Sequence, residues 1–170
     1  MQFSVGVEYA LHCLLYMTDP PVGKALGIKD LAAFQGVSET YLSKVYTKLR
    51  KAGIVRSTPG VNGGYELARK AELITFWDVV EAVEGSTPMF QCAEIRQNSI
   101  LVDKNNLPDS YSKCPCLIKT VMHEAEDQMR IYLKSKTLAW LQDEVKNKIP
   151  EAHVQATIEW FDRPKKKPKD

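Results

Sequence analysis

The sequence predicts a mainly α-helical fold with a small β-hairpin wing, in which a winged helix-turn-helix unit is followed by a long C-terminal dimerisation helix. Two observations predict it. Three helical patterns and a glycine-rich hairpin follow one another within the first 70 of 170 residues. A long amphipathic pattern then begins near residue 116, outside that unit. A wide apolar stripe on such a helix needs a partner surface.

The first two helices are predicted from apolar residues that recur at a helical period. One pattern covers residues 4–18, with Ser4 available as N-cap, and ends at Pro20 because proline cannot continue a helix. A second covers residues 28–35 and stops at Gly36. The short Gly-Val-Ser link to the next helix is typical of a helix-turn-helix.

The third helix, residues 38–52, has the clearest pattern. Ser38 is a suitable N-cap, and Gly53 supplies the C-terminal stop. Leu42, Val45 and Leu49 form a narrow apolar stripe, and the other faces are polar or charged. This arrangement predicts a helix that buries one edge and presents the rest to solvent or to a ligand.

A β-hairpin follows at once. Residues 54–58 are β-rich, residues 59–64 are rich in turn formers, and residues 65–67 supply the returning strand. Three helices followed by a hairpin is the order of a winged helix. After it we expect helices over residues 75–84, 116–133 and 137–149, and a short final stretch at 152–161.

The charge is distributed unevenly. Residues 1–70 hold nine Lys and Arg against five Asp and Glu, a net charge of +4, and residues 71–162 hold nine against fifteen, a net charge of −6. The last eight residues hold five against one, which brings the whole chain to +2. A basic head on an acidic body suggests that the head meets a polyanion.

Double-stranded DNA is the partner that this combination predicts. The N-terminal turn of a helix in the major groove reaches the base edges, while basic side chains beside it neutralise phosphates and a wing follows the backbone or minor groove. The predicted DNA-binding residues are Ser38, Glu39, Thr40, Tyr41, Ser43, Lys44, Lys48, Arg50, Lys51, Arg56, Ser57, Thr58, Asn62 and Gly63.

Other interpretations of the basic helix remain open. A charged helix face is most often only solvated. A winged helix can also dock an acidic protein partner instead of DNA, and selection of a preferred duplex from random DNA separates the two functions. With DNA as the partner, we expect a DNA-binding domain at residues 1–85, an irregular sensor or loop segment at 86–115, a helical dimerisation region at 116–162 and a basic tail at 163–170.

The first 85 residues closely resemble the Rrf2 family of bacterial winged-helix repressors, and the resemblance extends to about residue 140. The motifs that carry it are Tyr9-Ala10, Val37-Ser38, Tyr41-Leu42, the run from Leu49 to Val55, and Gly63-Gly64-Tyr65-Glu66-Leu67. The resemblance implies a homodimer joined by the helix at 116–133, bound to a partly palindromic operator. Pro59 departs from the pattern, because cluster-binding relatives often carry an arginine at that place in the wing.

The expected dimer contacts are one stripe of the long helix: Ile118, Met122, Ala125 and Met129. No cofactor is required by this interpretation. Family members that bind an iron–sulfur cluster hold it through three cysteines before the long helix, which makes Cys92, Cys114 and Cys116 the candidates here, although their spacing departs from the family pattern.

Three interpretations of these cysteines stay open. They ligate a cluster; or Cys92 forms a disulfide with Cys114 or Cys116; or they are ordinary loop and interface residues, and the signal is a small molecule or a partner protein. Cys13, within the first helix, is expected in the core.

Several other classes of function find no support. The chain has no apolar run long enough for a membrane span and no basic start typical of a signal peptide, so we expect a cytoplasmic protein with no membrane partner. His12, His123 and His153 lack metal-ligand spacing, so no metal site is predicted from them. No nucleophile, phosphate-loop or dinucleotide motif is present, so an enzyme is not expected.

Overall fold

The computed structural model describes residues 2–18, 25–60 and 63–163. Its helices are α1 (Val5–Leu15), α2 (Ile28–Gln35), α3 (Glu39–Lys51), α4 (Phe76–Glu84), α5 (Asp109–Ser112), α6 (Leu117–Lys134), α7 (Leu138–Lys146) and α8 (Glu151–Asp162). The strands β1 (Val55–Thr58) and β2 (Gly64–Leu67) form an antiparallel hairpin between α3 and α4. The predicted fold class, mainly helical with a hairpin wing, is confirmed.

Local signals set both ends of α3. The Ser38 side chain accepts a hydrogen bond from the Tyr41 N–H at 3.3 Å, and Gly53 follows the helix with a φ of 67°. The predicted stripe of Leu42, Val45 and Leu49 is buried. The sequence interpretation missed Tyr46, which is also fully buried and packs its ring 4.9 Å from the Tyr65 ring on β2. This contact joins the helix to the hairpin behind it.

The hydrophobic core lies where α3 meets α1, α2 and α4. α7 also belongs to it, because Leu138 is fully buried there and its N–H donates to the Ile74 carbonyl at 2.9 Å. A second backbone bond runs from the Phe76 N–H to the Lys136 carbonyl at 2.8 Å. The start of α7 is therefore fastened to the start of α4.

One residue from the segment before α2 pairs with the hairpin and extends its sheet. Leu26 pairs with Tyr65 through two backbone hydrogen bonds of 2.8 Å, one in each direction. Gly64 permits this approach, because a Cβ atom there would lie 2.5 Å from the Leu26 carbonyl oxygen. The glycine before Tyr65 is thus a packing requirement of the wing.

The rest of the chain runs over the surface of this core. Between α4 and α6 it forms only a 3-10 turn at Ile95–Asn98 and the single-turn helix α5. α8 returns to α2, where the ring centroids of Trp160 and Phe161 both lie 4.9 Å from that of Phe34. None of the helices in the described ranges is long and apolar enough to cross a membrane.

The buried stripe of α3 yields a stability prediction. Leu42→Ala removes a fully buried side chain, so we expect the free energy of unfolding to fall by about 2–5 kcal/mol. Denaturant titration followed by circular dichroism measures it. Leu101→Ala is the matched control, because Leu101 is 89% exposed and its loss is expected to change stability by less than about 0.5 kcal/mol. Equal effects of the two changes would contradict this placement of α3.

Candidate nucleic-acid interface and cysteine site

One exposed face of α3 brings together most of the predicted base-reading residues. A shallow surface depression is lined by Glu39, Thr40, Ser43, Lys44 and Thr47. Thr47 was not among the predicted site residues, although it lies one turn after Ser43, and its hydroxyl donates to the Ser43 carbonyl at 2.9 Å. Together these residues form a polar surface on the side of α3 that faces away from the core.

Further predicted residues lie at the two ends of α3. Ser38, at the N-cap, and Arg50 and Lys51, in the last turn, are all exposed. The helix therefore presents hydroxyl and carboxylate groups at its first turn and cations at its last. This distribution suits base edges at one end and phosphates at the other.

Tyr41 points elsewhere. Its ring meets that of Tyr9 on α1 edge-on, with the centroids 5.7 Å apart, and 37% of the residue is exposed. Its hydroxyl lies close enough to Gly6 that a Cβ atom there would be 3.0 Å from it. The aromatic ring thus joins α3 to α1, a use that the position at the start of the helix did not reveal.

Lys48 also has a partner within the chain. Its ammonium donates to the carbonyl oxygen of Val83 at 2.6 Å, in the last turn of α4. A cation at a helix C-terminus interacts favourably with the helix dipole and with carbonyls that lack a helical partner. A phosphate contact by Lys48 would have to compete with this bond.

The wing contains an ion pair between its two strands. Arg56 and Glu66 face each other in the hairpin register, and the Arg56 Nε donates to Glu66 Oε1 at 2.9 Å. Thr58 donates to the same oxygen at 3.1 Å. The hydrogen bond from Arg56 and then that from Thr58 lower the pKa of the Glu66 carboxyl. Part of the positive charge of the wing is therefore balanced locally.

The tip of the wing requires glycine. Gly60 has a φ of 111°, and the Gly63 N–H donates to its carbonyl at 2.8 Å. A Cβ atom on Gly63 would lie 2.3 Å from the Thr58 carbonyl oxygen. Ser57 is exposed on β1, whereas the predicted contact Asn62 lies outside the described residues. Glycine at positions 60 and 63 therefore lets the backbone turn between the two strands.

Two of the candidate cysteines meet at the start of α6. Cys116 is the N-cap residue, and although its side chain forms no capping hydrogen bond, the Lys119 and Ile118 backbone N–H groups and the Cys92 thiol lie near its sulfur. These donors, led by the Lys119 N–H, lower the pKa of Cys116, and the positive charge of Arg96 adds to the effect. The Cys92 sulfur in turn accepts the Glu94 N–H at 3.4 Å.

Arg96, which the sequence interpretation missed, organises this loop. Its guanidinium forms an ion pair with Glu94 at 2.9 Å and donates to the carbonyls of Tyr111 at 3.2 Å and Cys114 at 2.6 Å. Glu94 has a φ of 47°, unusual for a residue other than glycine. The ion pair with Arg96 holds the pKa of the Glu94 carboxyl below its ordinary value. One arginine thus connects both ends of the segment between the cysteines.

These residues do not fit a cluster held by three thiolates. Cys92 and Cys116 converge, but Cys114 is exposed, and the part of the chain that the structure describes holds no group of three His, Cys, Asp or Glu side chains able to share a metal ion. Cys13 is fully buried, as expected, and burial raises the pKa of its thiol to about 12. The site at the start of α6 therefore consists of two thiols, those of Cys92 and Cys116.

The loop and α6 are connected to α4 by a second group of polar contacts. Glu126, which is buried on α6, accepts the Met89 N–H at 3.1 Å and an Arg130 N–H at 2.9 Å. The Arg130 guanidinium lies over the ring of Trp77 on α4, 4.8 Å from its centroid. A buried carboxylate with these partners ties the start of the segment between α4 and α6, residues 85–116, to both helices; we call this segment the cysteine loop.

The outer face of α6 is apolar and exposed. Of the predicted dimer contacts, Ile118 is 65% and Met122 43% exposed, and Ala125 is exposed beside them. Met129 instead packs against the core of its own chain. Further apolar residues of α6 are also exposed: Leu117, Val121, Ile131 and Tyr132. Such a contiguous apolar surface is typical of an interaction site.

Comparison with known proteins finds relatives along most of the chain. A family model described as "Rrf2: Iron-dependent Transcriptional regulator" matches residues 3–144. Protein rrf2 of Nitratidesulfovibrio vulgaris is 37% identical over 139 residues, which cover 82% of this chain and 85% of that protein. The HTH-type transcriptional regulator NsrR of Shouchella clausii is 30% identical over 125 residues, covering 74% and 77%. The solved structure of T. potens IscR has a TM-score of 0.63 at 25% identity and covers 91% of this chain and 96% of IscR.

Proposed function

Because the chain belongs to the Rrf2 family of DNA-binding transcriptional regulators, we propose that it acts as a homodimeric repressor on a partly palindromic operator. The observation that carries the proposal is the polar face of α3, which lies opposite a fully buried stripe of the same helix. A repressor works where the chromosome is, so we place the protein in the cytoplasm. Its family members are regulators of transcription, and we propose no enzymatic role.

The geometry of α3 suits the major groove, which is about 12 Å wide and admits one α-helix. Glu39, Thr40 and Ser43 carry the donors and acceptors that read base edges, with Lys44 one turn on. Cations near the end of α3 would meet phosphates, and the wing that follows them in the chain would lie along the DNA backbone. We propose that base reading rests on the first half of the helix.

A symmetric dimer would match the twofold symmetry of a palindromic operator. Two copies of the exposed apolar face of α6 would cover each other about a twofold axis, which buries side chains such as Ile118 and Met122. The same axis relates the two α3 helices, so they would meet half-sites about one helical turn apart. Dimer formation and operator symmetry are therefore two consequences of one interface.

The DNA proposal is tested by removing one cation. Lys44→Ala should weaken binding to a duplex selected from random DNA by at least about tenfold and reduce the salt dependence by about one counterion, because Lys44 lines the polar depression of α3 that we propose to face DNA. Fluorescence anisotropy over a salt series measures both quantities. Lys104→Ala removes the same charge from the loop before α5 and should change neither.

Two outcomes would contradict this proposal. Unchanged DNA affinity in Lys44→Ala would contradict the proposal that α3 lies in the major groove. Failure of the intact protein to enrich any duplex from random DNA would favour the alternative function, in which the basic face docks an acidic protein. Lys48 is left intact in this experiment because its bond to Val83 supports α4.

The dimer is tested by a charge on the outer face of α6. Met122→Glu should convert the dimer to monomers, because a carboxylate would be buried without a partner at the interface. Sedimentation equilibrium measures the mass. Ile100→Glu is the control, since Ile100 is 98% exposed in the cysteine loop and should leave the dimer intact. A Met122→Glu protein that stays dimeric would move the interface elsewhere.

A thiol-based signal is a second proposal, favoured by the contact between Cys92 and Cys116. The Cys116 thiolate attacks a peroxide oxygen, which gives a sulfenic acid and releases the second oxygen as hydroxide or water. The Cys92 thiol then displaces the sulfenic hydroxyl as water, and a disulfide forms. In sum, two thiols and one peroxide yield one disulfide and two molecules of water.

A series of side-chain and backbone contacts connects the cysteine loop to α3. In the loop that carries Cys92, the Met89 N–H donates a hydrogen bond to Glu126. Arg130 donates to the same carboxylate and lies over the ring of Trp77 on α4. The far end of α4 receives the ammonium of Lys48 from α3. Coupling between the thiols and the operator is measured as a change in DNA affinity, so the test follows DNA affinity as well as thiol chemistry.

Peroxide treatment of the reduced protein tests the thiol proposal. We expect a mass loss of about two hydrogen atoms, from one disulfide. We also expect an operator affinity changed by at least about tenfold and restored by dithiothreitol, which corresponds to about 1.4 kcal/mol of coupling. Cys114→Ser should behave like the unaltered protein, whereas Cys92→Ser and Cys116→Ser should form no intramolecular disulfide. Stoichiometric iron and sulfide after anaerobic purification would instead establish a cluster.

A further inference from the structure

α8 lies beyond the part of the chain that matches the family, since the match ends at residue 144 and α8 covers Glu151–Asp162. It is nevertheless fixed to the helix-turn-helix. The Phe161 ring centroid lies 5.4 Å from that of Tyr16, just after α1, and the Trp160 ring packs on Phe34 of α2. The extra helix therefore packs against the end of α1 and against α2, and covers this side of the helix-turn-helix like a roof.

A cavity of about 410 Å³ lies beneath this roof, between α1, α7 and α8. That volume is within the range of small-molecule sites. Its walls are mainly apolar, formed by Leu15, Val145, Ile149, Val154, Ile158 and Phe161. We call it the α8 cavity, because α8 supplies one complete side of it.

The polar groups of the α8 cavity favour an anionic group. His12, His153 and Lys146 line it, and no aspartate or glutamate is among its lining residues in the described ranges. Tyr16 adds a donor: Gln35 donates to the Tyr16 oxygen at 2.6 Å, so the hydroxyl hydrogen is left for another acceptor. Burial raises the pKa of Tyr16, and its hydroxyl therefore stays protonated at neutral pH.

We propose that the α8 cavity binds an amphipathic carboxylate, a molecule with an apolar body and one acidic group, as an effector of this regulator. The apolar walls take the body, and the imidazoles of His12 and His153 with the Tyr16 hydroxyl take the carboxylate. Occupancy alters the contact of α8 with α1 and α2, and α2 is the first helix of the helix-turn-helix. The effect on DNA rests on the function proposed above; the binding itself does not.

Decanoate is the probe, used below its micellar concentration, with decanol as the uncharged analogue. Isothermal titration calorimetry of the full-length protein should show saturable binding of one decanoate per chain, and decanol should bind at least about tenfold more weakly. The double change His12→Gln and His153→Gln should weaken decanoate binding by at least about tenfold. His123→Gln, which alters the remaining histidine outside the cavity, should leave it unchanged.

A variant that fills the cavity separates a site from surface adsorption. Val154→Trp should abolish decanoate binding, with an unchanged circular dichroism spectrum as the check on folding. In the same experiment decanoate should change the operator affinity of the unaltered protein but not that of Val154→Trp. Non-saturable binding, equal binding of decanol, or equal binding by the histidine variant would overturn the site. Saturable binding with no change in operator affinity would overturn its effector role.

Discussion

The rest of the structure depends on the burial of one edge of α3. Leu42, Val45, Tyr46 and Leu49 are withdrawn from water against α1, α2 and α4. Each buried aliphatic side chain contributes about 1.5–3 kcal/mol of transfer free energy. The helix therefore cannot rotate about its axis without exposing this edge. That constraint keeps the polar residues in a fixed orientation, which a surface meant to match base edges requires.

Around this helix the chain uses polar groups for two purposes at once. Lys48 completes the end of α4, Arg56 balances Glu66 within the wing, and Tyr41 packs on Tyr9. The sequence alone does not show these internal partners, so it leaves each position available to a ligand. Their internal contacts make the DNA-facing surface smaller and better ordered than its composition suggests. Cations such as Lys44, which has no competing bond within the described part of the chain, would then contribute more of the electrostatic attraction to a polyanion.

Sequence periodicity predicted the helices and the hairpin because local signals and burial agree at these elements. The Ser38 cap, the stop at Gly53 and the stripe of Leu42 are all readable within one helical segment. Contacts between segments distant in the chain were not readable. Arg96 is an example: its partners lie 2, 15 and 18 residues away, and no periodic pattern encodes them. The spacing of the cysteines in the sequence likewise did not predict that Cys92 and Cys116 would be the two that lie together.

The packing around Gly63 bears on how variation in the wing should be interpreted. Any side chain there would collide with the Thr58 carbonyl, whether or not nucleic acid is near. Intolerance of substitution at this position would therefore report on closure of the backbone turn rather than on recognition. In a mutational scan scored by promoter activity, loss of signal at the glycines and loss at Lys44 would have different physical origins. A folding assay run in parallel would tell them apart.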